Sequence, residues 1–394
     1  MNRKSIVMIR VLAIVVLLAG LSAPFAQAAG PDVGDEEDSK ALPGWRQVNV
    51  SGFGDPGNLG VTTLEKFKGY LYAGASNWNT GGSVWRSKDG LSWEIVSEPG
   101  FGEVYTNTNP AVIDMIKYKD RLYVGVGWPG TGVTGVGQIW RTFDGTTWEQ
   151  VEGSGFGDPN NNSITNFIMF GNMLYVSAGN EVTGVQIWRS PTGDPASWTN
   201  VVSDGFGYPA NRQVTGFIKF KGLLYAAIES NILFGPAQVW RSSDGLHWSP
   251  VTVDGFGDLD NYSTGGFAIF KNYLYLGTRN DVTGAQLWRS KDGLSWTKVI
   301  GDGFGDITNN KIESLFTYKA KLYTVTQNFV TGAEVWRTSN GKTWLQVNLD
   351  GFGDSKNNAT LWSNATAVYK SRLFIGTWNA VDGGEIWEMV SGKK

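Results

Sequence analysis

Short runs of apolar and aromatic residues alternate with glycine-rich polar segments along almost the whole chain. One set of four runs is TGGFAIF from Thr264, YLYLGT from Tyr273, AQLWRS from Ala285 and SWTKV from Ser295. The runs are short, rich in aromatic and β-branched residues, and separated by turn signals such as Lys-Asn and Lys-Asp-Gly. Each run therefore predicts a β-strand, and the set predicts a unit of four strands.

The four-strand pattern is an internal repeat marked by the tripeptide Gly-Phe-Gly. The tripeptide begins at Gly52, Gly100, Gly155, Gly205, Gly255, Gly303 and Gly351, which gives periods of 48, 55, 50, 50, 48 and 48 residues. A four-stranded repeat of about 50 residues is typical of one propeller blade. The sequence therefore predicts an all-β fold: a seven-bladed β-propeller of four-stranded blades over residues 44–394.

The two ends of the chain predict how this ring closes. The seventh copy ends with the strand from Glu385 to Val390 and lacks a fourth strand. In the complete copies the fourth-strand Trp stands seven residues before the next Gly-Phe-Gly, and Trp45 stands seven residues before Gly52. We expect the N-terminal segment 45–48 to complete the C-terminal blade, which removes two exposed sheet edges.

The N-terminal 43 residues have a different composition from the repeats. Residues 1–28 form the pattern of a secretory signal peptide, with a basic start, an apolar stretch and Ala26-Gln27-Ala28 as the cleavage signal. Residues 29–43 hold five carboxylates and predict an acidic disordered linker. No other stretch approaches the roughly 18 apolar residues that span a bilayer. We expect a secreted, periplasmic or cell-surface protein, with an uncleaved anchor as the alternative.

Composition excludes several kinds of site. The chain has no Cys and one His, which rules out disulfides, thiolate zinc sites, a Cys nucleophile and poly-His metal sites. Its formal charge is −3, and removing residues 1–28 takes away Arg3, Lys4 and Arg10 and leaves −6. Nucleic acid is therefore not an expected partner.

A heptapeptide recurs between the third and fourth predicted strands. It reads Ser87-Lys88-Asp89-Gly90-Leu91-Ser92-Trp93, returns from Ser242 and Ser290, and has looser copies at Asp144 and Asn340. On these residues the chain resembles the Asp-box propellers found in sialidases, sortilin-type receptors and exported bacterial proteins, although its copies are one residue shorter between Asp and Trp. The resemblance implies a folding role, in which Asp satisfies turn amides and Trp packs inside the blade.

The resemblance also raises sialidase chemistry, which would need three convergent Arg, a Tyr-Glu pair and an acid near the propeller axis. Only Arg212 and Arg279 remain for the face that carries the loops between blades, so no Arg triad is predicted. Another glycoside hydrolase would need two carboxyl groups about 5 to 10 Å apart. The acids without repeated counterparts near first strands are Glu65, Asp114 and Glu313. A hydrolase on a degenerate sialidase-like propeller stays an alternative.

Four of the 18 Trp residues have no repeated counterpart, because seven Trp lie on third strands and seven on fourth strands. These four are Trp78, Trp128, Trp362 and Trp378. They belong to blades seven, one and two, which ring closure makes neighbours. We therefore expect the four indoles to cluster on one face.

Exposed indoles stack on sugar rings and also form protein hot spots. Asn77 and Asn379 lie beside these Trp and could supply hydrogen bonds to a ligand. The prediction is a glycan site or a site for an exported or cell-surface protein. The alternative is that the Trp residues only cap their loops.

The inter-blade loops repeat Gly-Phe-Gly-Asp followed by Asn. Side-chain oxygens of Asp158, Asp258, Asp306 and Asp354 could hold one Ca²⁺ per blade. The alternative is structural: Asp and Asn bond turn amides while Phe wedges between blades. No other cofactor is expected.

The function that these observations favour is an exported, non-catalytic binding or scaffold propeller, acting as a monomer and lectin-like at the Trp face. The alternatives are the glycoside hydrolase and a purely structural surface protein.

Overall fold

The computed structural model describes residues 44–102, 110–128, 135–231, 235–360 and 365–390. The predicted signal peptide, residues 1–28, the predicted linker, residues 29–43, and Trp362 lie outside the described residues. Within the described ranges, no helix is long and apolar enough to span a bilayer. The predicted all-β fold class is confirmed, since the regular elements there are β-strands and short 3₁₀ turns.

The strands form seven consecutive units, which we number by their position in the chain. Unit 1 comprises β2 (Asn58–Phe67), β3 (Tyr70–Asn77), β4 (Ser83–Ser87) and β5 (Glu94–Ile95); unit 2, β6 (Ala111–Tyr118), β7 (Arg121–Gly127), β8 (Gln138–Thr142) and β9 (Trp148–Glu152); unit 3, β10 (Asn161–Phe170), β11 (Met173–Asn180), β12 (Gln186–Ser190) and β13 (Thr199–Val202); unit 4, β14 (Asn211–Phe220), β15 (Leu223–Ser230), β16 (Gln238–Ser242) and β17 (Trp248–Thr252). Unit 5 comprises β18 (Asn261–Phe270), β19 (Tyr273–Asn280), β20 (Leu287–Ser290) and β21 (Trp296–Ile300); unit 6, β22 (Lys311–Tyr318), β23 (Lys321–Gln327), β24 (Val335–Thr338) and β25 (Leu345–Gln346); unit 7, β26 (Asn358–Ala359), β27 (Thr366–Tyr369), β28 (Arg372–Trp378) and β29 (Ile386–Val390), together with β1 (Gly44–Gln47).

Within units 1 to 6, consecutive strands pair antiparallel, and in unit 7 both β26 and β27 pair antiparallel with β28. In unit 5, Phe270 of the first strand lies opposite Tyr273 of the second, and Leu274 lies opposite Ser290 of the third. The first strands carry a register shift, as between Thr264 and Phe267. Such bulges bend and twist a strand, which suits a strongly curled sheet.

Unit 7 combines both ends of the described chain. Strand β1 pairs antiparallel with β29, with Trp45 opposite Met389 and Gln47 opposite Trp387. The N–H of Val48 then donates to the carbonyl of Ile386 at 2.8 Å. The segment predicted to supply the missing outer strand therefore lies on the outer edge of β29.

The Gly-Phe-Gly turns lie between units, and the Phe of each turn packs on two Trp residues of the unit that follows it. Their Phe residues have positive φ values of 55–65°, a left-handed conformation uncommon for a residue with a side chain. Phe304, for example, stacks on Trp336 of unit 6 at 4.7 Å and meets the edge of Trp344 at 5.6 Å. The same pair of contacts recurs for Phe53, Phe101, Phe156, Phe206, Phe256 and Phe352.

The hydrophobic core lies between adjacent units. One cluster joins Tyr72 and Val84 of unit 1 to Val112 and Val124 of unit 2. A cluster of the same kind joins unit 7 to unit 1 through Ile386, Phe374 and Val61. Each unit therefore buries its apolar face against the next one.

Candidate functional site

The starts of the first strands and the ends of the second strands lie together at one end of the sheets, which we call the strand-end face. Backbone pairs bring them together across units, as between Ser76 and Ala111, Gly127 and Ser163, and Gly60 and Trp378. Side chains at these positions therefore lie close to those of the neighbouring units, and both candidate sites described below lie here.

Three of the four unrepeated Trp residues meet on this face and form the tryptophan cluster (Trp78, Trp128 and Trp378). The ring centroids of Trp78 and Trp128 lie 4.2 Å apart at 66°, and those of Trp128 and Trp378 lie 6.3 Å apart. Leu59, Ala111 and Ile113 pack against them. The predicted clustering of Trp78, Trp128 and Trp378 on one face is thus seen in the structure.

The cluster is more buried than the loop positions suggested. Trp128 and Trp378 are each 8% exposed, whereas Trp78 is half-buried. Trp378 lies flat over Gly60, where an added Cβ would come within 2.4 Å of the indole. Trp78 is therefore the most exposed member of the cluster.

Asn77 and Asn379 lie beside this cluster but point into the turns. Both are buried, at 1% and 0% exposure. Asn77 donates to Asp55 and Asn58 at 3.1 Å each and accepts the N–H groups of Asn79 and Thr80. Asn379 accepts two N–H groups of its own turn in the same way. These amides hold the loops in shape, and a direct contact of either with a ligand stays a prediction.

The four Asp residues proposed for calcium each sit in a turn of their own. One carboxylate oxygen of Asp158 accepts the N–H of Asn160 at 2.9 Å, and the other accepts the amides of Asn180 and Gln186. Asp258 repeats this arrangement in unit 5. Asp306 and Asp354 likewise accept the N–H two residues ahead. In the part of the chain that the structure describes, no three His, Cys, Asp or Glu side chains come together as a metal-binding group.

A second group of side chains, the ion-pair cluster, lies on the strand-end face of units 3 to 6. It consists of Glu181, Arg212, Glu229, Arg279, Asp281, Lys311 and Glu313. Arg212 bridges Glu181, at 2.9 Å, and Glu229. Lys311 lies 2.8 Å from Glu313, and both side chains are 3% exposed. Burying these charges costs desolvation free energy, which is offset here because every charge has a partner of opposite sign.

The electrostatics of this cluster separate two carboxyl groups. Burial raises the pKa of Glu229, but attraction to Arg212 and Lys311 and the 2.5 Å hydrogen bond from Ser263 outweigh it and lower that pKa to about 2. Burial raises the pKa of Glu313, Lys311 opposes this, and the Glu229 charge adds to it. The pKa values of these two carboxyl groups are therefore shifted in opposite directions.

Glu229 and Lys311 of the ion-pair cluster were not among the residues singled out from the sequence. One cross-strand position between the first and second strands could have revealed these residues. It holds small residues in units 1 to 3 and polar residues in units 4 to 6. The pairs at this position are Gly60–Ser76, Ala111–Gly127, Ser163–Gly179, Gln213–Glu229, Ser263–Arg279 and Lys311–Gln327. Aligning the repeats on this register would have found the cluster.

Asp114 and Glu65, the other predicted acids, lie on the first strands of units 2 and 1. The carboxylate of Asp114 accepts the N–H groups of Met115 and of Phe167 in unit 3, both at 2.8 Å. Burial raises the pKa of Asp114 to about 7, the two N–H groups oppose this, and Glu65 adds to it. Burial also raises the pKa of Glu65. With one backbone donor in its own unit and one in unit 3, Asp114 is a structural link between units 2 and 3.

The recurring Asp residues between third and fourth strands build those turns. Asp292 Oδ1 accepts the N–H groups of Leu294 and Ser295 at 2.8 Å each, and Ser290 Oγ accepts that of Gly293. Asp89, Asp144, Asp244 and Asn340 make the same contacts. The backbone donors lower the pKa of Asp89. One side-chain oxygen of each of these residues is therefore held by the turn.

Comparison with protein-family models and with curated protein sequences gives no match. Among solved structures, the chain is similar to the extracellular domain of a hybrid two-component system from B. thetaiotaomicron, with 16% identity, 84% of this chain covered and a TM-score of 0.52. It is also similar to a prolyl endopeptidase, with 10% identity, 86% coverage and a TM-score of 0.50.

A Trypanosoma rangeli sialidase gives 11% identity, 87% coverage and a TM-score of 0.48. This chain spans 40%, 51% and 58% of the length of those three structures. At such identities the likeness of the first two concerns the fold alone, and it supports a propeller-like arrangement of antiparallel sheets.

Proposed function

We propose that this chain is an exported, seven-bladed propeller, closed by β1, that binds ligands without transforming them. The pairing of β1 with β29 and the unit-to-unit cores support the ring. The Asp turns support a place among the Asp-box propellers. The N-terminal pattern and the likeness to an extracellular domain support export, with residues 1–28 as the signal peptide.

The proposed ligand is a glycan, bound on the tryptophan cluster of units 7, 1 and 2. The observation that carries this proposal is the half-buried indole of Trp78, held edge-on by Trp128 at 4.2 Å. A rigid aromatic face loses little conformational entropy when it stacks on the C–H face of a sugar ring. A hot spot for an exported protein would use the same surface.

A glycan array probed with the full chain tests this function, using Trp78→Ala and a matched control. Phe329 is 61% exposed and follows Asn328 in unit 6 as Trp78 follows Asn77 in unit 1. We expect Trp78→Ala to lose binding by roughly tenfold or more, and Phe329→Ala to retain it. Equal binding by the two variants would contradict a site on the tryptophan cluster. Silence on every glycan would favour a protein partner or a structural surface protein.

A second candidate function, glycoside hydrolysis, would use two carboxyl groups of the ion-pair cluster, Glu229 and Glu313, which are held by Arg212 and Lys311 and whose pKa values are shifted in opposite directions. Two carboxyl groups with separated pKa values are the usual acid and base of glycoside hydrolysis. Here Glu313 would protonate the leaving oxygen, and Glu229 would activate water or attack the sugar.

Release of methylumbelliferone from a panel of 4-methylumbelliferyl glycosides tests hydrolysis. If this function holds, the full chain cleaves one of them, Glu313→Gln abolishes cleavage, and Trp78→Ala changes it less. Absence of release from all glycosides, or equal release by Glu313→Gln, would leave binding as the function.

A further inference from the structure

A cavity of about 710 Å³ opens between the outer edge of unit 1 and unit 2, away from the strand-end face. Its walls include Arg86, Glu94 and Glu98 of the first repeat and Trp140, Thr147 and Trp148 of the second. We call this cavity the unit 1–2 groove. Its volume lies within the roughly 300 to 1,000 Å³ of typical ligand pockets, and its lining mixes aromatic rings with a few polar groups.

The groove exists because the outer strand of unit 1 is short. Strand β5 has two residues, whereas β9, β17 and β21 have five each. Beyond Ile95, Val96 still donates its N–H to the carbonyl of Val84 at 2.8 Å, and Ser97 Oγ then accepts the N–H of Val84 at 2.9 Å in place of a backbone carbonyl. Residues 96–98 border one side of the groove, and Trp148 of unit 2 borders the other. The indole of Trp148 is fixed by its 2.7 Å hydrogen bond to the carbonyl of Val96.

A similar groove between units 6 and 7 shows whether the fold itself requires Glu94 and Glu98. Between units 6 and 7, β25 also has two residues, and Asn348 accepts the N–H of Val335 as Ser97 accepts that of Val84. The cavity there is about 320 Å³ and is lined by Trp45, Trp387 and Leu349. Counting back from Gly-Phe-Gly, Leu345 and Leu349 stand where the unit 1–2 groove has Glu94 and Glu98. The two carboxylates are therefore not a requirement of the turn.

The groups in the unit 1–2 groove suit an uncharged ligand rich in hydroxyl groups. Arg86 pairs with Glu94 at 2.7 Å, and the side chain of Glu94 is still 60% exposed. Arg86 faces the same cavity as Glu94 and Glu98, so charges of both signs line the groove. A cationic or an anionic ligand would therefore be attracted by some of these groups and repelled by others. Planar guanidinium and carboxylate groups can each bond two adjacent hydroxyls, and Thr147 adds an acceptor.

We propose that the unit 1–2 groove is a second binding site, for a neutral saccharide, which bonds the Arg86–Glu94 pair and Glu98 and lies against Trp148. It shares no residue with the tryptophan cluster. The proposed site binds the sugar without breaking or forming a covalent bond. The double variant Glu94→Gln/Glu98→Gln removes its charge while preserving shape, and Leu345→Gln/Leu349→Gln is the matched control in the other groove.

The test is titration calorimetry of the full chain with neutral oligosaccharides chosen from a glycan array. The groove predicts binding that weakens roughly tenfold or more in the Glu94→Gln/Glu98→Gln variant and is unchanged in the Leu345→Gln/Leu349→Gln control, with thermal melting of both variants confirming that they fold. Binding lost in Trp78→Ala but unchanged in Glu94→Gln/Glu98→Gln would overturn this site and leave the tryptophan cluster. Binding lost in the control as much as in the test variant, or binding of no neutral saccharide at all, would also overturn it.

Discussion

The Phe residues of the Gly-Phe-Gly turns show a local cost offset by packing. Phe304 has a φ of 65°, in a region that disfavours side chains by roughly 1 to 2 kcal/mol. The ring recovers this by stacking on Trp336 and meeting the edge of Trp344. The sequence predicted a Phe wedge between blades, but it could not show that the wedge needs a left-handed backbone.

This geometry predicts an unusual order of stability at residue 304. Phe304→Ala loses the stacking and keeps the strained backbone, so we expect it to lower the free energy of unfolding by about 3 to 5 kcal/mol. Phe304→Gly loses the same stacking but relieves the strain, and should be more stable than Phe304→Ala by about 1 kcal/mol. Urea denaturation of both variants measures the difference. The usual order, with Ala more stable than Gly, would contradict the argument.

Glu334 is a second residue whose environment predicts a measurable effect. It accepts hydrogen bonds from Asn309 and Trp336 at a position where units 3 and 5 have Gln186 and Gln286. Burial raises the pKa of Glu334 to about 7, the two donors oppose this, and Asp350 and Asp306 add to it. The folded-state pKa is above the ordinary glutamate pKa of about 4.5, so ionisation destabilises the fold as pH rises from about 4.5 through 7.

We therefore expect Glu334→Gln to stabilise the protein by roughly 1 to 3 kcal/mol at pH 8 and by little at pH 4.5. The new amide can also donate to Asp306, as Gln186 donates to Asp158. Melting curves at the two pH values provide the measurement. The reverse substitution, Gln286→Glu, is the matched control and should destabilise at pH 8. A gain for Glu334→Gln that is the same at both pH values would show that ionisation is not its cause.

At the scale of elements, the sequence predicted the strands well and their ends less well. The Trp and Val spacing of the outer strands is the same in all copies, yet β5 and β25 have only two residues. The reason is that Ser97 and Asn348 accept an N–H group in place of a backbone carbonyl. Such a substitution depends on side-chain geometry, which no periodic pattern records.

The repeated Asp of the inter-unit turns has two possible roles, hydrogen bonding within the turn or binding of Ca²⁺. Both carboxylate oxygens of Asp158 and Asp258 accept N–H donors, which leaves the turn satisfied within the chain. If these bonds are the role of Asp, 5 mM EGTA leaves the melting temperature unchanged, and Asp258→Ala destabilises equally with and without calcium. If the Asp residues hold Ca²⁺, the chelator lowers the melting temperature and added CaCl₂ restores it. We expect the first outcome.

At the scale of the whole molecule, repeat counting could predict a ring, but not which side chains meet across it. The sequence placed the unrepeated Trp residues on neighbouring blades, and three of them do meet. It did not predict that Trp378 covers Gly60 and becomes buried, because that contact joins the last unit to the first. Glu229 was missed because its environment is also built by other units. Its partners Ser263 and Lys311 belong to units 5 and 6.

Ring closure is the property on which the proposed site at the tryptophan cluster depends, and deletion of β1 tests it. Trp45 packs edge-on against Phe352 at 5.2 Å and donates to the carbonyl of Val347 at 2.7 Å, while β1 covers the free edge of β29. Truncating one such Trp costs roughly 3 to 5 kcal/mol. At about 2 to 4 °C per kcal/mol for a large domain, deleting residues 44–51 should lower the melting temperature by at least 5 to 15 °C.

Deleting residues 29–43 is the matched control, since it removes a segment of greater length without touching β1. It should leave the melting temperature unchanged, and calorimetry of the two deletions in parallel separates loss of a strand from mere shortening. If removal of residues 44–51 also has no effect, the ring does not need its N-terminal strand. Unit 7 would then be stable with an open edge, and the adjacency of units 7, 1 and 2 that the tryptophan cluster requires would need another cause.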